Sequence, residues 1–145
     1  MQKIYLPEGL EIIGDYAFAG SDLREVRIPA GMKVTGAGVF QNRRNLRKVV
    51  WTRGDGGVHI GVISNYTFAN CEKLEEVIVE EGVRAFGDLV FMNCLSLKKL
   101  VLPSTFSKLD LENIREYPKC YFLGCINLEE VIFEGENYLD PSKLK

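Results

Sequence analysis

Histidine is nearly absent from this sequence. The single residue, His59, has no serine or cysteine partner recognisable by motif, so no nucleophile–base pair is indicated. There is also no phosphate-cradling glycine loop, no dinucleotide fingerprint and no metal-ligand spacing, so enzyme and cofactor readings are set aside. Basic charge is not in excess, with 18 Lys and Arg against 20 Asp and Glu for a net charge of −2. That balance argues against a nucleic-acid or anionic-membrane binder. No apolar run approaches the length of a membrane span. The N-terminus lacks the charged head, apolar stretch and small-residue cleavage site of a signal peptide. This leaves a cytoplasmic protein, a mature chain and a fragment all open.

What is present is repetition. The 145 residues are 46 % apolar and 26 % charged, enough for one soluble domain with a real core. A phrase of Leu, two polar residues, aliphatic, any residue, aliphatic runs down the chain. Its copies begin at Leu23, Leu46, Leu74, Leu97 and Leu128, and the chain opens part-way through another at Ile4-Tyr5-Leu6. Phe18, Phe40, Phe68, Phe91 and Phe122 lie five or six residues before each leading Leu. The basic unit is 23 residues, lengthened in the third and fifth units.

Each column of the repeat has a physical reading. The aliphatic-x-aliphatic core is a short strand whose alternate side chains point inward. Successive strands run parallel because similar return paths separate them. Pro7, Pro29 and Pro103 close strands, where a missing donor does no harm. Gly14, Gly36 and Gly87, four residues before the Phe, mark a tight bend. Two residues after the Phe stand Gly20, Asn42, Asn70, Asn93 and Gly124, the residue types that best tolerate a left-handed backbone. The polar pairs after each Leu are Arg24/Glu25, Arg47/Lys48, Glu75/Glu76, Lys98/Lys99 and Glu129/Glu130. From the third unit on they alternate in sign, which sets opposite charges side by side in a parallel stack. Cys71, Cys94 and Cys125 share one column and read as small buried side chains forming a ladder of free thiols. Cys120 is off-register and reads as the exposed thiol.

The phrase from Leu6 to Phe18, with the Asn-Cys turns at Asn70-Cys71 and Asn93-Cys94 and Gly124-Cys125, resembles the BspA-like class of leucine-rich repeats. The match covers nearly the whole chain, although the third and fifth units depart from it. The resemblance implies a repeat solenoid: a right-handed coil with a parallel β-sheet on one face and short helical or irregular turns on the other. It also implies a surface adhesion or interaction module, since members are mostly surface proteins and several are implicated in attachment to host matrix proteins or to other cells. It carries over no contact residue, because the shared positions are structural. An intracellular interaction scaffold, which unpaired cysteines would suit, is the alternative.

The expected organisation is a single domain of six rungs, at 1–22, 23–45, 46–73, 74–96, 97–127 and 128–145. Binding is expected on the outward middle strand positions Tyr5, Arg27, Val50, Ile78, Val101 and Ile132, where four β-branched apolar side chains follow one another. The insertions at 53–61 and 107–119 are further candidate surfaces. The first contains Arg53-Gly54-Asp55, a tripeptide that integrins can recognise. In the second, Asp110 to Tyr117 has the pattern of one or two helical turns before Pro118. Asn65-Tyr66-Thr67 is a formal glycosylation sequon leading directly into Phe68. The expected partner is a protein, with no nucleic acid and no membrane insertion. At the ends, Tyr138, Leu139 and Leu144 are placed to cover Phe133, whereas Ile4, Leu6, Leu10 and Ile13 lack a cover. The chain is therefore expected either to be part of a longer repeat protein or to self-associate through the N-terminal rung, and light scattering across a concentration series tests the second.

Overall fold

The structure is a computed structural model and describes residues 3–6, 12–14, 17–18, 23–28, 34–52 and 61–145. The Leu-x-x-aliphatic phrases form strands β1 (Lys3–Tyr5), β3 (Glu25–Ile28), β5 (Lys48–Trp51), β7 (Glu76–Val79), β9 (Lys99–Val101) and β10 (Glu130–Phe133). They pair in chain order, each parallel to the next, in one sheet. Shorter strands lie on the return path: β2 (Ile12–Ile13) with β4 (Val34–Thr35), and β6 (Val62–Ile63) with β8 (Ala85–Phe86). The expected repeat solenoid is what the chain forms.

The phenylalanine column is the spine of the core. Phe18, Phe40, Phe68, Phe91 and Phe122 stack ring on ring with centroids 5.4–5.7 Å apart and planes within 15° of parallel. All but Phe18 are fully buried. The turns that carry these rings are also bonded rung to rung. Phe40, Phe68 and Phe91 donate their N–H groups to Thr67, Val90 and Tyr121 carbonyls of the following rung. Both long sides of the coil therefore satisfy their backbone groups between rungs, as burial demands.

The Gly/Asn column turns left-handed as expected, with φ of 62° at Asn42, 62° at Asn70, 57° at Asn93 and 82° at Gly124. The asparagines do more than tolerate the turn. Asn70 Nδ2 donates to Asn42 Oδ1 at 2.8 Å, and Asn93 Nδ2 donates to Asn70 Oδ1 at 2.9 Å, forming a ladder along the stack. Beside the glycine column four residues before the Phe the chain does turn left-handed. The left-handed turn lies two residues later, at Gly38, Tyr66 and Leu89, with φ of 60°, 57° and 51°. Gly87 instead supplies space. A Cβ there would sit 2.4 Å from Asn65 Oδ1 and 2.6 Å from the Asn65 backbone nitrogen.

The thiol column is buried and unbridged at Cys71, Cys94 and Cys125, and Cys120 is exposed. The buried thiols are also hydrogen-bond donors. Their Sγ atoms donate to the carbonyls of Phe40 at 3.2 Å, Phe68 at 3.2 Å and Phe91 at 2.8 Å, each one rung earlier. Burial pushes the Cys71 thiol up to about 12 and raises Cys94 well above its ordinary value. Alkylation needs a thiolate, so these groups are protected both by packing and by protonation. Native labelling with iodoacetamide at neutral pH is expected to modify Cys120 alone, the others reacting only in denaturant. Modification of Cys94 before Cys120 would contradict the buried ladder.

The fifth-rung insertion forms helix α1 (Lys108–Glu116), then a short α2 (Lys119–Phe122). It begins two residues earlier than its sequence pattern suggests, because Ser107 caps it by accepting from the Asp110 N–H at 3.1 Å. It ends at Glu116 because Pro118 restricts Tyr117. Asp110 also accepts from the Tyr121 hydroxyl, which locks the helix onto the last turn.

The C-terminal segment covers the last rung. Glu134 and Gly135, with φ of 49° and 80°, make a two-residue hairpin into β11 (Glu136–Asn137), antiparallel to β10. Asn137 Oδ1 accepts from the Val131 and Leu139 N–H groups at 2.9 and 3.0 Å, closing the edge of β10. Tyr138 packs edge-on against Phe133 at 5.9 Å, with the Arg115 guanidinium 4.4 Å above its ring. Leu139 and Leu144 are buried, as the capping reading requires.

Candidate functional site

Strand register determines which middle strand positions are neighbours. Tyr5 pairs with Arg27, Arg27 with Val50, Val50 with Ile78, Ile78 with Val101, and Val101 with Ile132. The six positions singled out from the sequence therefore form one unbroken row across the sheet. Its exposure is uneven. Arg27 is exposed, Ile78 is 36 % exposed and Val101 52 %. Val50 differs from its outward reading and retains only 9 %. Strand alternation sets the direction of a Cβ, but what overhangs it sets the exposure. Ile78 and Val101 line a shallow depression of about 400 Å³ bordered by Glu75, Glu76 and Lys99.

Two charged columns lie beside this row, both on its N-terminal side. One runs Glu25, Lys48, Glu76, Lys99, Glu130 and alternates in sign at every rung. Within it Lys48 Nζ lies 3.8 Å from Glu76 Oε2. The other runs Arg24, Arg47, Glu75, Lys98, Glu129, where backbone bonds from Arg47 to Arg24 and from Glu75 to Arg47 mark adjacent rungs. The alternation seen in the paired sequence is thus complete in one column and broken once in the other. Opposed surface pairs of this kind contribute about 0.2–1 kcal/mol each.

Arg53, Asp55 and the rest of the Arg-Gly-Asp loop lie outside the described residues, as does His59. The sequon is embedded in structure. Asn65 Oδ1 accepts from the Asp88 N–H at 2.7 Å, and the buried Thr67 hydroxyl donates to the Ser64 carbonyl at 2.7 Å. Among the described residues no cluster of three or more His, Cys, Asp or Glu side chains is placed to hold a metal ion. No helix there is long and apolar enough to cross a membrane.

Solved bacterial leucine-rich repeat proteins are similar to this chain to different degrees. A leucine-rich repeat protein from Bacteroides ovatus superposes with a TM-score of 0.70 at 22 % identity, over 92 % of this chain and 31 % of that one. A leucine rich cell surface protein from Faecalibacterium prausnitzii gives 0.37 at 17 % identity, over 86 % and 45 %. A leucine-rich repeat protein from Eubacterium ventriosum gives 0.34 at 15 % identity, over 91 % and 48 %. The chain thus spans about a third to a half of the length of these solved proteins. None of the curated proteins matches it closely enough to count as a relative. The BspA type leucine rich repeat region matches in six copies, over residues 1–113 and 63–140, and the chain belongs to that family.

Proposed function

We propose that the chain is a non-catalytic protein-interaction module whose binding face is the outward row of the large sheet, within a surface adhesion protein. The observation that carries this is the continuous register from Tyr5 to Ile132, which presents Ile78 and Val101 to solvent over a shallow depression. Repeat arrays bind through such extended faces, and exposed apolar side chains grouped together mark interaction surfaces. Surface adhesion rests on the family resemblance, as does attachment to matrix or cell-surface proteins. The same proposal divides the domain into six rungs at the boundaries given above. The edge strand β1 and the Arg53/Asp55 loop are subsidiary contact regions within it. A second reading, an intracellular interaction scaffold, is favoured by the four unbridged thiols.

The test is a pair of charge insertions. Beads carrying the chain are allowed to settle on surfaces coated with a panel of extracellular-matrix proteins. Ile78→Asp with Val101→Asp is expected to abolish retention, whereas Val62→Asp, at an exposed position on the return path, leaves it unchanged. Retention unaffected by the double substitution, in protein of unchanged denaturation midpoint, rules out the sheet face.

A further inference from the structure

Charge is distributed unevenly along this chain. Residues 23–53 hold eight basic side chains and one acidic, a net +7 in a chain whose total is −2, so the remainder sums to −9. On the sheet face this excess is visible as Arg24, Arg27 and Arg47, all exposed, and none has an ion pair among the described residues. Arg24 and Arg47 occupy adjacent rungs of one column, with the Arg47 N–H donating to the Arg24 carbonyl at 2.8 Å. They are the one like-charged neighbour pair in the two charged columns. Like charges directly opposed are destabilising, so register-setting does not explain them, whereas an anion shared between them does.

The same face says what kind of anion. The row runs from Arg27 past the nearly buried Val50 to Ile78 and Val101, so the cationic and apolar patches share one sheet face two to three strands apart. Nucleic acids and sulfated polysaccharides offer anions but no aliphatic side chains for Ile78 and Val101; a polypeptide offers both. We propose that the face takes an extended segment of a partner protein, with carboxylates on Arg24, Arg27 and Arg47 and aliphatic side chains on Ile78 and Val101. The inference rests on the sheet face being the binding surface. Guanidinium groups suit carboxylates because their paired donors match the two oxygens. Glu75 and Glu76 outnumber Lys99 at the rim of the apolar depression and disfavour carboxylates there, which sets the direction of the segment. Strands are about 4.8 Å apart, so β3 to β7 is about 10 Å and β3 to β9 about 14 Å. An extended peptide advances about 3.3 Å per residue, which places about three or four residues between its acidic and aliphatic parts.

The probe is a labelled peptide with a Glu-Glu pair, a glycine–serine spacer of about four residues and a Leu-Val pair. It is titrated against the full chain by fluorescence anisotropy. Saturable binding is expected, weakening as salt rises. Arg24→Glu with Arg47→Glu is expected to weaken it at least about tenfold, and Val101→Asp by a similar factor, each equivalent to ~1.4 kcal/mol. The denaturation midpoint of each exposed-site variant serves as the folding control. A peptide with Ser in place of Leu-Val should bind about tenfold less well. Equal binding of that peptide, or of a heparin fragment indifferent to Val101→Asp, overturns the proposal in favour of a general polyanion site. No binding of the probe also overturns it. If the Ile78 and Val101 charge insertions still abolish matrix attachment in that case, the face stands as the binding surface and only the partner chemistry fails.

Discussion

Replacing Phe91 with Ala is expected to cost about 3–5 kcal/mol, the range for removing a fully buried aromatic side chain. Phe91 stacks between Phe68 at 5.5 Å and Phe122 at 5.7 Å, and Phe86 meets its edge at 5.4 Å. Truncation removes three ring contacts at once and leaves a cavity in the middle of the stack. Solenoid rungs are held chiefly by their neighbours, so the loss should separate the array into two weaker halves. Urea denaturation checks the size of the effect, and hydrogen exchange at the Phe68 and Phe122 amides checks its spread. Phe18→Ala, at a half-buried ring with one stacking partner among the described residues, should cost clearly less. A midpoint that barely moves for Phe91→Ala would remove the phenylalanine column from the core.

Gly87→Ala is expected to cost about 1–3 kcal/mol, the range for inserting atoms into a filled site. The added Cβ meets the backbone of Asn65 as well as its side chain, and the Asn65 Oδ1 it displaces holds the Asp88 N–H. Backbone can yield only by opening the rung. Gly14 occupies the same repeat position, and a Cβ added there would meet nothing within 4 Å among the described residues. Its Ala variant should be neutral or stabilising by up to about 1 kcal/mol through reduced freedom of the unfolded chain. Thermal or urea unfolding of the two variants side by side gives the comparison. Equal effects at the two sites would mean that the repeat position, rather than the close approach to Asn65, governs the cost.

These two glycines show how far a single sequence can be read. Their shared column was legible, and so was a turn near it, but the reason for Gly87 was not. A column records what recurs, and the approach of Asn65 to Gly87 has no counterpart at Gly14 among the described residues. The second left-handed column shows the same limit from the other side. It holds Gly38, Tyr66 and Leu89, three residue types with no common preference, so nothing in the sequence marks it. The Asn column was legible because its residues share a backbone tolerance, yet the amide ladder that links them needed their spacing across rungs.

The candidate face divides in the same way. Tyr5, Arg27, Val50, Ile78, Val101 and Ile132 follow from the recurring strand phrase alone, since equivalent positions of that phrase come into register despite the longer third and fifth units. The near-burial of Val50 and the closing of β10 by Asn137 belong to single rungs and recur in no column. Sequence by itself determined the repeat, the parallel stacking, the phenylalanine core and the left-handed turns at Asn42, Asn70, Asn93 and Gly124, because each is a weak local preference multiplied by recurrence. Tertiary structure alone decided which outward side chains reach solvent and the hairpin by which the last rung is covered. Those features arise once each, and their energy lies in distances between residues far apart in the chain.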